Sequence, residues 1–300
     1  MPASFHYRLF DLHIRSDLEL PELTAAEPVE AVDIDISLGP IADPIEGDDY
    51  RVGENGAGVA IDGVARYWIS RGREIVIQQE ADSDPRNVRL YLLGSAMGAL
   101  LHQRGLLPLH GNAVEINGSA FIFIGPSGAG KSTLAAAFHD RGLQVLADDV
   151  AVIGFDDRRG AVVRPGISRL RLWEQSLRAS GRDAKDYEQS YSGDASFRKF
   201  DVPIASQLHS RPLGAIYLLA DGAAFAITQI EGAAAVQALF ANTYRGAFVP
   251  AGGRPLAHWQ AVVQLLGRVP VFELIRPKDL ARVCDDLEQI VAHAKQFAGC

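Results

Sequence analysis

Apolar and polar residues alternate along the first part of the chain with a period of two, the pattern of half-buried strands. "HYRLFDLHI" alternates, "VDIDISLG" does so more cleanly, and "GVAIDGVARYWISRGREIVIQQ" has the form of a meander. Asn55-Gly56, Asp62-Gly63 and Arg71-Gly72 supply turn chemistry, and "IADPIEGDDYR" is expected to be a loop. At "DSDPRNVRLYLLGSAMGALLHQRG" the period lengthens. Val88, Leu92, Ser95 and Ala99 recur at helical spacing beside Leu93, Ala96 and Leu100, so one broad face should be buried. Asp84 can cap this helix, Pro85 fits its first turn and Gly105 ends it. The expected division is a β-rich N-terminal domain over residues 1–84, a scaffold or recognition layer, and a second domain over 85–300.

Beyond the helix, strands and helices alternate, which predicts an α/β domain. Ala113–Ile116 and Ser119–Ile124 are strands joined by Asn117-Gly118, a strong two-residue hairpin signal. "STLAAAFHDRG" is a helix closed by Gly142, and "LQVLA" is the next strand. A short helix begins at "LWEQSLRASG", and a polar Gly/Ser-rich stretch through residue 200 is expected to be mobile. "LGAIYLLA", "FAITQI" and "VPVFELI" are strands; "AAAVQALFANTYRG", "LAHWQAVVQLLGR" and "KDLARVCDDLEQIVAHAKQF" are helices.

Composition narrows the function. With 48% hydrophobic residues in 300, a sizeable core is available, and the net charge of −8 argues against a protein that coats nucleic acid. Two cysteines, Cys284 and Cys300, make neither a disulfide framework nor a tetrahedral metal site. The N-terminus lacks the basic and apolar regions of a signal peptide, and no run of about 18 apolar residues is present, so a cytoplasmic protein without a membrane span is expected.

The chemistry centres on Gly125-Pro126-Ser127-Gly128-Ala129-Gly130-Lys131-Ser132, a complete Walker A motif between an expected strand and an expected helix. Its glycines let backbone N–H groups turn toward a β-phosphate at a helix N-terminus, where Thr133 follows in the first turn. Lys131 is a point charge for the β/γ oxygens, and the Ser132 hydroxyl is a magnesium (Mg2+) ligand. One helix and one strand later stands "LADDV". That interval suits kinases, and neither an "NKxD" guanine reader nor an "LSGGQ" signature is present. Where a strand ends, both carboxylates can face a ligand crevice. Asp148 is then the expected magnesium ligand, and Asp149 the base for an attacking hydroxyl.

The stretch "LHGNAVEINGSAFIFIGPSGAGKSTLAAAFHDRGLQVLADDV" resembles the catalytic domain of HPr kinase/phosphorylase, with its upstream His-Gly pair, hairpin, phosphate loop and paired aspartates. More closely, "LELPEL", "LLHQRG", "RLRLW" and "NTYRG" resemble the HPr-kinase-related proteins associated with lasso-peptide biosynthesis. The resemblance implies an α/β P-loop kinase core of the HPr kinase/PEP carboxykinase-like type, a mixed sheet with flanking helices, using ATP and Mg2+. It gives His110 the role of active-site histidine, Asp149 that of acid/base, and Lys131 and Ser132 the phosphate loop. It also implies a possible homo-oligomer, because HPr kinases are hexamers. Where the family carries a magnesium glutamate, this chain reads "VVRPGISRLRLW". Its Arg169 and Arg171 are candidate contacts for phosphate or an acidic substrate tail, alongside Arg198, Lys199 and Arg245.

Three functions stay open on the sequence. The first is a serine kinase acting on a precursor peptide or small protein, with the C-terminal serine of a lasso-type peptide as the favoured acceptor. The second is a small-metabolite kinase of the shikimate type, or an HPr serine kinase. The third is a non-catalytic, ATP-dependent regulator, in which Asp149 would be dispensable.

Overall fold

The structure, a computed structural model, describes residues 4–41, 50–53, 56–194, 196–205, 209–249, 255–279 and 282–299. Asn55, most of the expected loop at 41–51 and Cys300 lie outside them. Internal contacts divide the chain into two compact units. The first comprises Met1–Leu107, Gln189–Arg198 and Arg245–Trp259, and the second Pro108–Glu188, Lys199–Tyr244 and Gln260–Cys300. The sequence division at residue 84 differs from this one, because the helical stretch after it belongs to the first unit.

In the first unit, eight strands form one mixed sheet: β1 (Phe5–Leu9), β2 (Leu12–Ser16), β3 (Thr24–Ala25), β4 (Ile34–Leu38), β5 (Tyr50–Gly53), β6 (Gly56–Ile61), β7 (Ala65–Ser70) and β8 (Glu74–Gln79). Their order is β3-β1-β2-β4-β8-β7-β6-β5, with β4 parallel to both β2 and β8. The turn at Arg71-Gly72 has φ of 57° and 62°, the doubly positive pair of a primed hairpin turn. Alternation works as expected: Ile34, Ile36, Ile69, Ile75 and Ile77 are buried.

The helix after this sheet is two helices in line, α1 (Pro85–Tyr91) and α2 (Met97–Gln103), joined by a π-helical turn at Leu92–Ala96. Asp84 caps it by accepting from the Arg86 N–H, and Gly105 ends it with φ of 72°. The extra residue of a π turn shifts the apolar face, so Leu92, Leu93, Ser95 and Ala96 are all buried. Tyr67 donates to the Val88 carbonyl at 2.8 Å, and the Gln103 amide bridges Ile69 O and Gly72 N, which locks the helices to β7. The polar stretch that the sequence leads one to expect as mobile is tied to α1 at Gln189 and Ser192. Asn87 exchanges two hydrogen bonds of 2.8 Å with Ser192, and Arg86 donates to Gln189 O.

The second unit is built on β9 (Leu107–Ile116), β10 (Ser119–Ile124), β11 (Val145–Ala147), β12 (Val150–Asp156), β13 (Gly160–Arg164), β14 (Arg169–Trp173), β15 (Glu188–Gln189), β16 (Lys199–Pro203), β17 (Arg211–Asp221), β18 (Ala226–Ile230) and β19 (Val271–Arg276). The main sheet runs β10-β9-β12-β13-β17-β19-β18, and β17 also pairs with β10. Strands β10, β17 and β19 are mutually parallel, so their carboxyl ends open on one edge. Asn117 and Gly118, at φ of 50° and 81°, make the β9–β10 hairpin that the sequence called for. The helices of this unit are α3 (Lys131–Asp140), α4 (Glu174–Ala179), α5 (Gly232–Ala241), the part of α6 (Pro255–Leu266) from Gln260 onward, and α7 (Val283–Ala294).

Every residue of β10 is buried, as a central strand covered on both faces requires. One core unites Phe121 and Phe123 of β10, Leu134 and Phe138 of α3, Tyr217 of β17, and Leu287 and Ile290 of α7. The rings of Phe123 and Tyr217 stack at 5.1 Å, and the Tyr217 hydroxyl meets His293 Nδ1 at 2.9 Å. This packing fixes the strand end from which the phosphate loop springs.

Candidate active site

The loop Gly125–Gly130 leaves β10 at the carboxyl edge and turns directly into α3. Gly125, Gly128 and Gly130 have φ of 148°, 81° and 87°, a backbone that side chains adopt only with strain. A Cβ on Gly125 would also crowd Leu219 O at 3.1 Å. No side chain caps the start of α3, so its first-turn N–H groups and positive dipole end are free to meet an anion. The Gly125 N–H donates to Asn242 Oδ1 at 2.9 Å, and the Asn112 amide donates to Lys131 O, so two buried asparagines hold the loop from below. Lys131 is buried and folds back, donating to Gly125 O at 2.7 Å and Pro126 O at 3.0 Å. Burial lowers its pKa, with Asp149 opposing that shift.

Asp148 and Asp149 occupy the break between β11 and β12. The sequence reading had the chain leave the sheet here; instead it kinks and continues as a strand. The kink puts Asp149 at φ of 72°, an unfavourable conformation that costs an L-residue on the order of 1–2 kcal/mol. Both carboxyls thereby face one cavity of about 280 Å³, lined also by His110, residues 127–133, Trp173, Lys199 and Arg276.

The two acids sit in opposite electrostatic settings. Asp148 accepts from the Arg171 N–H at 2.7 Å, yet burial and the adjacent Asp149 charge push its pKa up to about 6. For Asp149, burial disfavours ionisation most strongly, but Arg171, Lys199, His110 and Arg169 together outweigh it and hold the group below the usual carboxylate range. Arg171 Nη1 lies 3.2 Å from Asp149 Oδ2. Arg171 is itself held by Asp201, its register partner on β16, at 3.2 Å. His110 Nδ1 lies 3.1 Å from the Asp149 backbone oxygen and 3.7 Å from its carboxylate. Burial lowers the His110 pKa, so a neutral ring with Nδ1–H donating to that carbonyl is the consistent tautomer, assigned from the bonding pattern.

Among the described residues no group of three or more His, Cys, Asp or Glu could hold a metal ion. A magnesium ion does not require one, since it takes one or two protein oxygens and completes its octahedron with phosphates and water. Ser132 and Asp148 both line the cavity and are hard oxygen donors, and the unneutralised carboxyl of Asp148 suits a cation. The residues present therefore fit a magnesium ion.

The other candidates separate. Lys199 lines the cavity with its ammonium 5.2 Å from the Trp173 ring, its register partner across β14–β16. Arg171 is just behind the aspartates, and Arg169 pairs with Asp201 at 2.9 Å. Arg198 is exposed and belongs to the first unit. Arg245 belongs there too: its Nη1 is 3.1 Å from the Tyr50 hydroxyl, and its guanidinium lies over that ring at 5.6 Å. Neither Arg198 nor Arg245 lines the cavity. Sequence reasoning missed Asn112, Asn242, Asp201, Trp173 and Arg276. Only Arg276 carried a usable signal, as a cation ending an apolar strand.

No protein-family model matches the chain. An HPr kinase/phosphorylase of Chlorobium phaeovibrioides is 32% identical over 82 residues, which is 27% of this chain. The match spans about a quarter of that relative's own length, 24%. The solved HPr(Ser) kinase/phosphatase of Coxiella burnetii aligns with a TM-score of 0.32 at 12% identity, over 63% of this chain and 97% of that one.

Proposed function

We propose that this chain is an ATP- and magnesium-dependent kinase that transfers the γ-phosphate to a serine hydroxyl of a peptide or small protein. The favoured acceptor is the C-terminal serine of a lasso-type precursor peptide. The observation that carries the reading is that Asp148 and Asp149 line one cavity with residues 127–133 of the phosphate loop and the start of α3. The local sequence similarity to an HPr kinase/phosphorylase supports phosphotransfer, and it keeps a small protein acceptor such as HPr beside the peptide.

Catalysis in such a site is mostly positioning and charge stabilisation. The loop N–H groups and the α3 N-terminus hold the β-phosphate, and Lys131 exchanges its two loop carbonyls for phosphate oxygens. Magnesium held by Ser132 and Asp148 would neutralise charge on the β and γ oxygens. Asp149, ionised at neutral pH and fixed by Arg171, receives the proton of the serine hydroxyl as its oxygen bonds to the γ-phosphorus and the bond to ADP breaks. Its low basicity suits a loose transition state, in which the proton moves late. His110 holds the Asp149 backbone in its kinked conformation.

The test is mass spectrometry of serine-ending peptides, HPr and a panel of hydroxylated metabolites after incubation with ATP and magnesium. The expected result is one added phosphate on a peptide or protein serine. Phosphorylation of metabolites alone would overturn the acceptor assignment, and ATP turnover without any phosphorylated acceptor would overturn the kinase reading.

A further inference from the structure

The phosphate loop has a second cationic neighbour that neither the motif nor the mechanism above employs. Arg276 ends β19, which is parallel to β17 and, through it, to β10, so it emerges at the same carboxyl edge as the loop. A Cβ placed on Gly130 would lie only 2.6 Å from Arg276 Nη2, so the guanidinium rests directly against the phosphate loop. Arg276 lines the cavity although its side chain is only 8% exposed.

Its charge is poorly answered. Its ion-pair partner is Asp286 of α7, fully buried, with Nη1 to Oδ2 at 3.7 Å, a long contact for a buried pair. Among the described residues, Arg276 Nε and both Asp286 carboxylate oxygens find no partner that meets hydrogen-bond geometry. Burial lowers the Arg276 pKa, against the pull of Asp286 and Asp221, so desolvation exceeds the compensation these acids provide. Asp286 is stabilised independently by its place in the first turn of α7. A largely buried guanidinium with a long ion pair, set with Nη2 against a phosphate loop, is matched to an oxyanion.

We propose that Arg276 is a phosphate-binding residue of this site, which swings from Asp286 onto the terminal oxygens of a bound nucleoside di- or triphosphate. It then acts with Lys131 as a second cation supplied from within the chain, and Asp286 sets its resting position. This inference rests on the proposed nucleotide site and adds a residue to it.

The experiment is calorimetric titration of the full chain with magnesium pyrophosphate, which reads the phosphate site without a base, and with MgADP. Arg276→Gln is expected to weaken both by about 10- to 100-fold, the range of lost charge-assisted hydrogen bonds, while Arg276→Lys recovers part of the loss. Asp286→Asn removes the competing anion and is expected to tighten binding several-fold. A purely structural pair would instead make Arg276→Gln and Asp286→Asn weaken binding together. Because Arg276→Gln alone strands a buried carboxylate, the double variant Arg276→Gln/Asp286→Asn keeps the core neutral, and it too should bind weakly. Wild-type affinity in that double variant, or weakening by Asp286→Asn comparable to that of Arg276→Gln, would overturn the proposal alone. Failure of the wild-type protein to bind either ligand would overturn it together with the nucleotide site.

Discussion

Replacing Asp148 with asparagine should make the protein more stable and less functional at the same time. The carboxyl has a pKa of about 6 in the fold against an ordinary value of 3.8, chiefly through burial and then through the charge of Asp149. An acid whose folded pKa is raised binds more protons folded than unfolded between those two values, so it destabilises the fold increasingly as pH rises through that window. At about 1.36 kcal/mol per unit of pKa, the shift sets a ceiling of about 3 kcal/mol at neutral pH. Partial exposure and coupling to Asp149 reduce this to on the order of 1–2 kcal/mol. Asparagine keeps an oxygen to accept the Arg171 N–H and carries no charge to desolvate. Thermal unfolding at pH 7.5 should then show Asp148→Asn melting about 2–8 °C above wild type, and the gap should close near pH 4. If Asp148 holds magnesium as proposed, phosphotransfer by the same variant should fall at least tenfold. An equal or lower melting temperature at pH 7.5, or a gap that ignores pH, would refute the assignment of Asp148 as the uncompensated member of the pair.

Asp149→Asn should move stability the other way, by about 1–3 kcal/mol, since it removes one of the two carboxylates that pair with Arg171 and leaves Asp201 alone with it; the loss should be seen above pH 4 and fade in acid, where the wild-type carboxylate is itself protonated. Arg171→Met leaves Asp149 and Asp201 without their shared cation, and chemical denaturation should show a loss of about 3–5 kcal/mol. Lys131→Met should weaken MgATP binding by about 10- to 150-fold in titration while leaving the fold intact, because its own bonds are only to loop carbonyls. Gly130→Ala should cost stability by at least about 1 kcal/mol from its φ of 87°, with the tip of the Arg276 side chain giving way to the added methyl, and chemical denaturation should show the loss.

Legibility of the site followed the range of the interactions that build it. The phosphate loop, the Asn117-Gly118 hairpin and the paired aspartates declare themselves because each is set by a few consecutive residues whose backbone demands are local. The environment of the aspartates could not be read that way. Arg171 was visible as a cation, but its restraint by Asp201 depends on the register of β14 against β16. Asn242 reaches Gly125 across 117 residues of sequence. Arg276 is placed by the parallel pairing of three strands, a long-range fact with no local signature beyond a charge at a strand end. The same limit hid the surroundings of Arg245, whose polar character was evident but whose contact with Tyr50 depends on a residue 195 positions away. The π turn at Leu92–Ala96 escaped because its residues satisfy a regular helical period nearly as well.

The most direct test of the central claim follows label from γ-radiolabelled ATP, with magnesium, into a serine-ending peptide, comparing wild type with Asp149→Asn at equal nucleotide occupancy. Wild type should place the label on the serine, and Asp149→Asn should bind ATP yet transfer at least 100-fold more slowly, on the order expected for loss of a positioned base. Undiminished transfer by Asp149→Asn, or no transfer by nucleotide-bound wild type to any hydroxyl acceptor, would contradict the account.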